Sequence, residues 1–135
     1  MRFNDCGVFD PEYTNDTAKA LLQNVKGRAV IPGFYGASDG GEIFTFSRGG
    51  SDITGAIVAR ATDAIVYENW TDVDGFLTAD PNIVENPKQI NVLTYAELRE
   101  LSYMGANVLH PESTFPLRFT KAPINIRNTF HPDHD

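Results

Sequence analysis

Cysteine is nearly absent from this sequence. Cys6 stands alone among 135 residues. A lone cysteine excludes an internal disulfide framework and fits a reducing compartment, so a cytoplasmic location is expected. Positive charge is also scarce: 11 Lys and Arg stand against 18 Asp and Glu, for a net charge of −7. Bulk nucleic-acid binding needs a cationic excess to neutralise phosphates, so no nucleic-acid partner is expected. No apolar run approaches the ~20 residues that cross a bilayer. Met1-Arg2-Phe3-Asn4-Asp5 lacks the apolar segment of a secretion signal, so no membrane partner is expected either. The sequence has no internal repeat and no G-x-x-x-x-G-K-[ST] phosphate loop.

What is present is ordinary for a globular chain. Apolar residues make up 41% and charged residues 21%, enough for one domain with a modest core. The most informative stretch is Ser47-Arg48-Gly49-Gly50-Ser51-Asp52. It lies between an alternating run, Glu42 to Phe46, and an Ala/Ile/Val-rich run, Ile53 to Ala64. A strand, a glycine turn and a helix start are the natural reading, with Ser51 or Asp52 as the N-cap. Free N–H groups at a helix start favour anions. Arg48 suits a carboxylate or phosphate, and Asp52 supplies the opposite charge. Two readings stand side by side: a clamp for both charged ends of an amino acid, or a well-capped turn with a solvated arginine.

The rest of the chain reads as alternating helices and strands. Residues 1–12 suggest an irregular hairpin. Asn15 or Asp16 is expected to cap a helix from Thr17 to about Val25, ended by Gly27. Arg28 to Gly36 reads as a buried strand running into a loop at Pro32 and Gly33. Ile53 to Ala64 should be a largely buried helix. Ala64 to Trp70 fits a parallel strand in a helix-covered sheet. The stretch Thr71 to Pro81 follows at that strand's C-terminal end, where open α/β sheets bind ligands. Its carboxylates and threonines could line a nucleotide pocket, with Asp72 or Asp74 near a metal–phosphate group; an acidic turn is the favoured reading on these residues alone. Asn82 to Asn91 is a connector. Thr94-Tyr95-Ala96-Glu97 has capping-box spacing and opens a helix to about Met104. Glu112 to Phe119 suggests a helix broken around Pro116. Pro123 to Phe130 reads as a last strand, and His131 and His134 fall in a tail more easily read as solvated than as metal-binding.

Four segments in order resemble aspartate kinase, of the amino-acid kinase family: Val30 to Gly36, Ser47 to Asp52, Trp70 to Gly75, and Gly105-Ala106-Asn107-Val108-Leu109-His110-Pro111. The resemblance runs from about residue 25 to the end. It implies an α/β fold, a three-layer sandwich with an open, mainly parallel sheet covered by helices on both faces. It implies ATP-dependent phosphorylation of the L-aspartate β-carboxylate, the first step towards lysine, threonine and methionine. By resemblance Arg48 would hold the α-carboxylate of aspartate, Asp52 its ammonium, and Ser51 would assist. The loop from Phe34 to Gly36 would close the amino-acid side. Thr71, Asp72, Leu77, Asn82 and Asn107 would lie on the nucleotide side. Mg²⁺ would travel with ATP, without a dedicated metal site in the protein.

Two departures from the family pattern remove positive charge. Asn82 stands where many relatives have Arg, and Asn107 where many have Lys. The family's opening Lys-containing glycine-rich segment has no counterpart here, nor do the regulatory ACT domains that follow. The expectation is the C-terminal, nucleotide-binding portion of a kinase domain, inactive alone and able to self-associate through exposed sheet edges. The alternatives are a non-catalytic binding module and a sister kinase acting on another carboxylate.

Overall fold

The computed structural model describes residues 1–106, 108–120 and 122–133. Asp10 opens the first helix, α1 (Pro11–Leu22), by accepting from the Tyr13 backbone N–H at 3.1 Å. The helix therefore starts well before the expected Asn15–Thr17 boundary. Pro11 fits the first helical position, where no N–H is needed. Asn15 is no cap; its side-chain amide donates to the Pro11 carbonyl one turn back.

Residues 28–31 do not form the expected buried strand. Val30 is 98% exposed. Pro32 cannot donate to a ladder, and among the described residues no strand pairs with this segment. The strand β1 begins only at Tyr35 (Tyr35–Ala37) and pairs antiparallel with β2 (Ile43–Thr45). The N-terminus lies along β1: the Ala37 N–H donates to the Met1 carbonyl, and the Phe3 N–H to the Ala37 carbonyl. This brings Phe3, Phe9, Phe44 and Phe46 together, with neighbouring ring centroids 5.1–5.9 Å apart.

α2 (Gly50–Ala61) is the central helix, three residues earlier at both ends than its apolar run suggests. Its buried residues include Ile53, Ala56, Ile57, Ala59 and Ala61, as expected for a helix apolar around most of its circumference. β3 (Tyr67–Thr71) follows and pairs in parallel with the last strand, β6 (Ile124–Asn128), in a register running from Tyr67↔Ile124 to Thr71↔Asn128. Between them lie a short antiparallel pair, β4 (Phe76–Leu77) with β5 (Gln89–Ile90), then α3 (Tyr95–Tyr103), a 3₁₀ turn (Pro111–Ser113) and α4 (Thr114–Leu117). Thr94 and Glu97 form the expected reciprocal capping box. Its hydrogen bonds hold the Glu97 carboxyl below the usual carboxylate range.

The α/β class is thus present in partial form, with the parallel ladder confined to β3 and β6 among the described residues. The inward face of this pair carries Tyr67 and Ile124 against Ala56 and Ala59 of α2 and Leu117 of α4. Ile124 and Ile126 also pack on a second cluster, Phe76, Leu98 and Leu109. Leu117 is fully buried, a placement that stabilises the fold by about 2 kcal/mol for such a side chain. On the outward face Glu68, Trp70 and Asn125 are exposed, and the Arg127 guanidinium lies 5.1 Å from the Trp70 ring centroid. No described helix is long and apolar enough to cross a membrane.

Candidate functional site

The turn at 47–52 is built by close backbone approach. Gly49, not Ser51 or Asp52, is the residue before the helix, in the left-handed region at φ 60°. A Cβ on Gly49 would overlap the His110 side chain, and one on Gly50 would lie 2.8 Å from the Phe34 Cα. Two glycines are therefore needed so that the loops carrying Phe34 and His110 can close on the helix start. Ser51 and Asp52 fall inside the first helical turn as a result. Arg48 and Ser51 are exposed, and among the described residues no carboxylate pairs with Arg48.

Asp52 is half-buried and held from two directions. Its Oδ1 accepts from Asn69 Nδ2 at 3.1 Å, and its Oδ2 from the His110 backbone N–H at 3.3 Å. Its main-chain carbonyl accepts from the Tyr67 hydroxyl at 3.3 Å. Burial pushes the Tyr67 phenol above its usual range; the Asn69 hydrogen bond opposes the rise and the Asp52 charge adds to it. The phenol thus remains a donor. Among the described residues no Lys or Arg pairs with Asp52.

The Phe34 loop is clamped to the same turn. The Phe34 N–H donates to Thr54 Oγ1 at 3.2 Å, and Thr54 donates to the Gly50 carbonyl at 2.7 Å. Phe34 itself has φ 66° and is 55% exposed, a left-handed backbone that costs a non-glycine residue about 1–3 kcal/mol. Its ring lies outside the core, edge-on to the Tyr35 ring with centroids 5.6 Å apart. Gly36 lies apart from this group, buried in β1 against the Met1 backbone.

Past β3 the residues are more open. Thr71 ends the strand, and its carbonyl accepts from the Thr129 N–H at 2.8 Å and from Thr129 Oγ1 at 2.5 Å. Thr71 Oγ1 donates to the exposed Asp72 at 3.3 Å. Leu77 sits in β4 at 37% exposure. Asn82 is exposed, and both its backbone N–H and its side-chain amide donate to Asp80 Oδ1. Asn107 lies outside the described residues. The structure therefore gathers Phe34, Arg48, Ser51 and Asp52 around one helix start, and spreads Thr71, Asp72, Leu77 and Asn82 along a loop and hairpin.

Several contacts had no local pattern to signal them. Asp74 Oδ1 accepts from Asn128 Nδ2 at 2.8 Å and lies 3.0 Å from His131 Nδ1. His131 is therefore tied to the loop that follows β3 and is not a freely solvated tail residue; His134 lies outside the described residues. Asn69 and Tyr67, which frame Asp52, were read only as members of a strand. Their polar groups on the inward face, two residues apart, were the available signal.

The family model described as the amino acid kinase family matches residues 8–128. The chain belongs to the amino acid kinase family. Aspartokinase 3 of Bacillus subtilis (strain 168) is 49% identical over 111 residues, 82% of this chain and 24% of that protein. Among solved structures, Clostridium acetobutylicum aspartate kinase superposes with a TM-score of 0.87 at 54% identity, over 98% of this chain and 30% of its own. E. coli aspartokinase III, solved in complex with aspartate and ADP in its R-state, gives 0.86 at 34% identity, over 98% and 31%. The chain thus spans about a quarter to a third of the length of these relatives.

Proposed function

We propose that this chain contributes to an aspartate kinase, which phosphorylates the β-carboxylate of L-aspartate with ATP to give 4-phospho-L-aspartate in the route to lysine, threonine and methionine. The observation that carries this reading is the turn at 47–52. At one helix start stand a guanidinium on Arg48 and a carboxylate on Asp52, which among the described residues have no partner of opposite charge. Opposite charges at that spacing suit the α-carboxylate and α-ammonium of an amino acid. Ser51 assists from the same turn, and the loop from Phe34 to Gly36 closes the amino-acid side.

Thr71 and Asp72 follow at the C-terminal end of β3, the edge where open parallel sheets receive ligands. In this reading they meet the nucleotide, with Leu77, Asn82 and Asn107 further along the same side. Among the described residues no cluster of three His, Cys, Asp or Glu could hold a metal. In this reading Mg²⁺ enters as the counter-ion of ATP, whose phosphate charge it offsets. The lysine expected to stabilise the transferred phosphoryl group has no match in this sequence, so these residues bind both ligands without turnover on their own. Among the described residues β3 and β6 pair only with each other, and open edges of this kind favour self-association.

Titration calorimetry with L-aspartate and with ATP–Mg²⁺, followed by a coupled ADP assay, tests the reading. Arg48→Ala should weaken aspartate binding about a hundredfold, the scale of a lost charge-assisted bidentate contact. Aspartate binding that ignores this substitution would favour a sister kinase acting on another carboxylate. Binding of both ligands without ADP release fits a chain that lacks the lysine, whereas measured aspartyl phosphate would overturn the claim of inactivity.

A further inference from the structure

We propose that Asn69 is a positioning residue for the amino-acid site: its side-chain amide sets the Asp52 carboxylate in place for an incoming ammonium group. This rests on the reading of Asp52 as the ammonium partner. Asn69 is 8% exposed on the inward face of β3. A strand position facing a helix is an ordinary place for an aliphatic side chain, and burying an amide there is costly unless both its N–H groups are used. They are used: one reaches Asp52 Oδ1 at 3.1 Å, the other the Tyr67 hydroxyl at 3.2 Å. Tyr67 then donates to the Asp52 carbonyl. The three residues close a ring that fixes the Asp52 backbone and one carboxylate oxygen together.

The ring is built entirely from neutral donors. The other carboxylate oxygen is met by a backbone N–H, that of His110. A lysine or arginine in the place of Asn69 would orient Asp52 equally well but would cancel its charge. A neutral amide orients the carboxylate and leaves the full negative charge for a cation that arrives from outside. Asn69 is also two residues before Thr71, so one strand supports the ammonium ligand and leads directly to the nucleotide side.

The test compares Asn69→Leu, which keeps the branched shape and loses the donor, with Asn69→Gln, which keeps an amide. Calorimetry is run separately with L-aspartate and with ATP–Mg²⁺, and folding is checked by thermal melting. Asn69→Leu should bind aspartate roughly tenfold more weakly, with nucleotide affinity within about twofold of the parent, and Asn69→Gln should recover part of the loss. Equal weakening of both ligands, tracking a lower melting temperature, would show a merely structural role and overturn the proposal. Asp52→Ala separates the two claims. If it leaves aspartate affinity unchanged, the reading of Asp52 as an ammonium partner fails. The positioning claim is then decided by a crystal structure of ligand-free Asn69→Leu: a displaced Asp52 carboxylate sustains it, and an unmoved one overturns it.

Discussion

The turn at 47–52 and the loop at 71–82 are both short, polar and glycine-bearing, yet they are held in opposite ways. In the first, Asp52 is fixed by groups 17 and 58 residues away along the chain, and Gly49 and Gly50 press against loops from two other parts of the sequence. In the second, the Asp72 and Asn82 contacts are with residues one or two positions away, all exposed. A site assembled from distant elements is geometrically defined before any ligand arrives, and is as fragile as the fold beneath it. A site of local turns is robust to core damage, and its geometry is completed by what binds. The turn at 47–52, the proposed amino-acid side, is thus the preorganised half, and the loop at 71–82, the proposed nucleotide side, the adaptable one.

The sharpest way to break this contrast is Gly49→Ala. A Cβ there meets the His110 side chain, and the residue must also keep a left-handed backbone. Strain and overpacking together should lower stability by about 2–4 kcal/mol. Urea unfolding would show a reduced midpoint, and calorimetry on the folded fraction a loss of aspartate affinity exceeding any change for ATP–Mg²⁺. A near-neutral effect would mean that the His110 segment does not close on this turn.

The proposed nucleotide side has a few long-range tethers, from Thr129 to Thr71 and from Asn128 and His131 to Asp74, and one of them offers the next test. Asn128 is 6% exposed and donates to Asp74 at 2.8 Å, while its carbonyl oxygen accepts from the Phe130 N–H at 2.8 Å. Asn128→Leu keeps the branched shape but leaves Asp74 without that donor. Asp74 stays half-exposed and keeps its contact with His131, so the expected cost is about 0.5–1.5 kcal/mol of stability, the net range for one hydrogen bond. Hydrogen exchange should rise at residues 72–76 and stay unchanged at 49–54. Equal increases at both places would dissolve the distinction between the two halves.

What could be read from the sequence follows the same division. Thr94 and Glu97 announced a capping box because both partners lie within one helical turn, and the apolar content of 53–61 announced a buried helix. The order of strand, glycine turn and helix around Arg48 was legible for the same reason. The start of α1 was missed because Asp10 and Pro11 looked like part of an irregular N-terminal segment. Val30 and Ile31 looked like a buried strand because composition records apolarity and not the presence of a partner. The Asn69–Asp52 and Asn128–Asp74 pairs could not be read as pairs, since the packing of α2 on β3 creates the first and the parallel pairing of β3 with β6 the second. The most preorganised part of the candidate site was therefore the part whose supports the sequence concealed.

The smallest expected effect sharpens the adaptable half. Asn82 stands where many aspartate kinases carry an arginine, and here it only closes a turn onto Asp80. Asn82→Arg removes one side-chain hydrogen bond at an exposed position, so stability should stay within about 0.5 kcal/mol. It adds a cation beside the proposed polyphosphate path in a chain of net charge −7. ATP–Mg²⁺ affinity should rise about three- to tenfold at low ionic strength and lose most of that gain at high salt, because exposed charges are screened beyond about 10 Å at 0.1 M salt. Aspartate affinity should not change, since Asp52 and Arg48 lie on the turn at 47–52, apart from this hairpin. Calorimetry at two salt concentrations distinguishes the outcomes. A gain that ignores salt would point to a rearranged hairpin, and no gain at all would place the nucleotide phosphates away from residue 82.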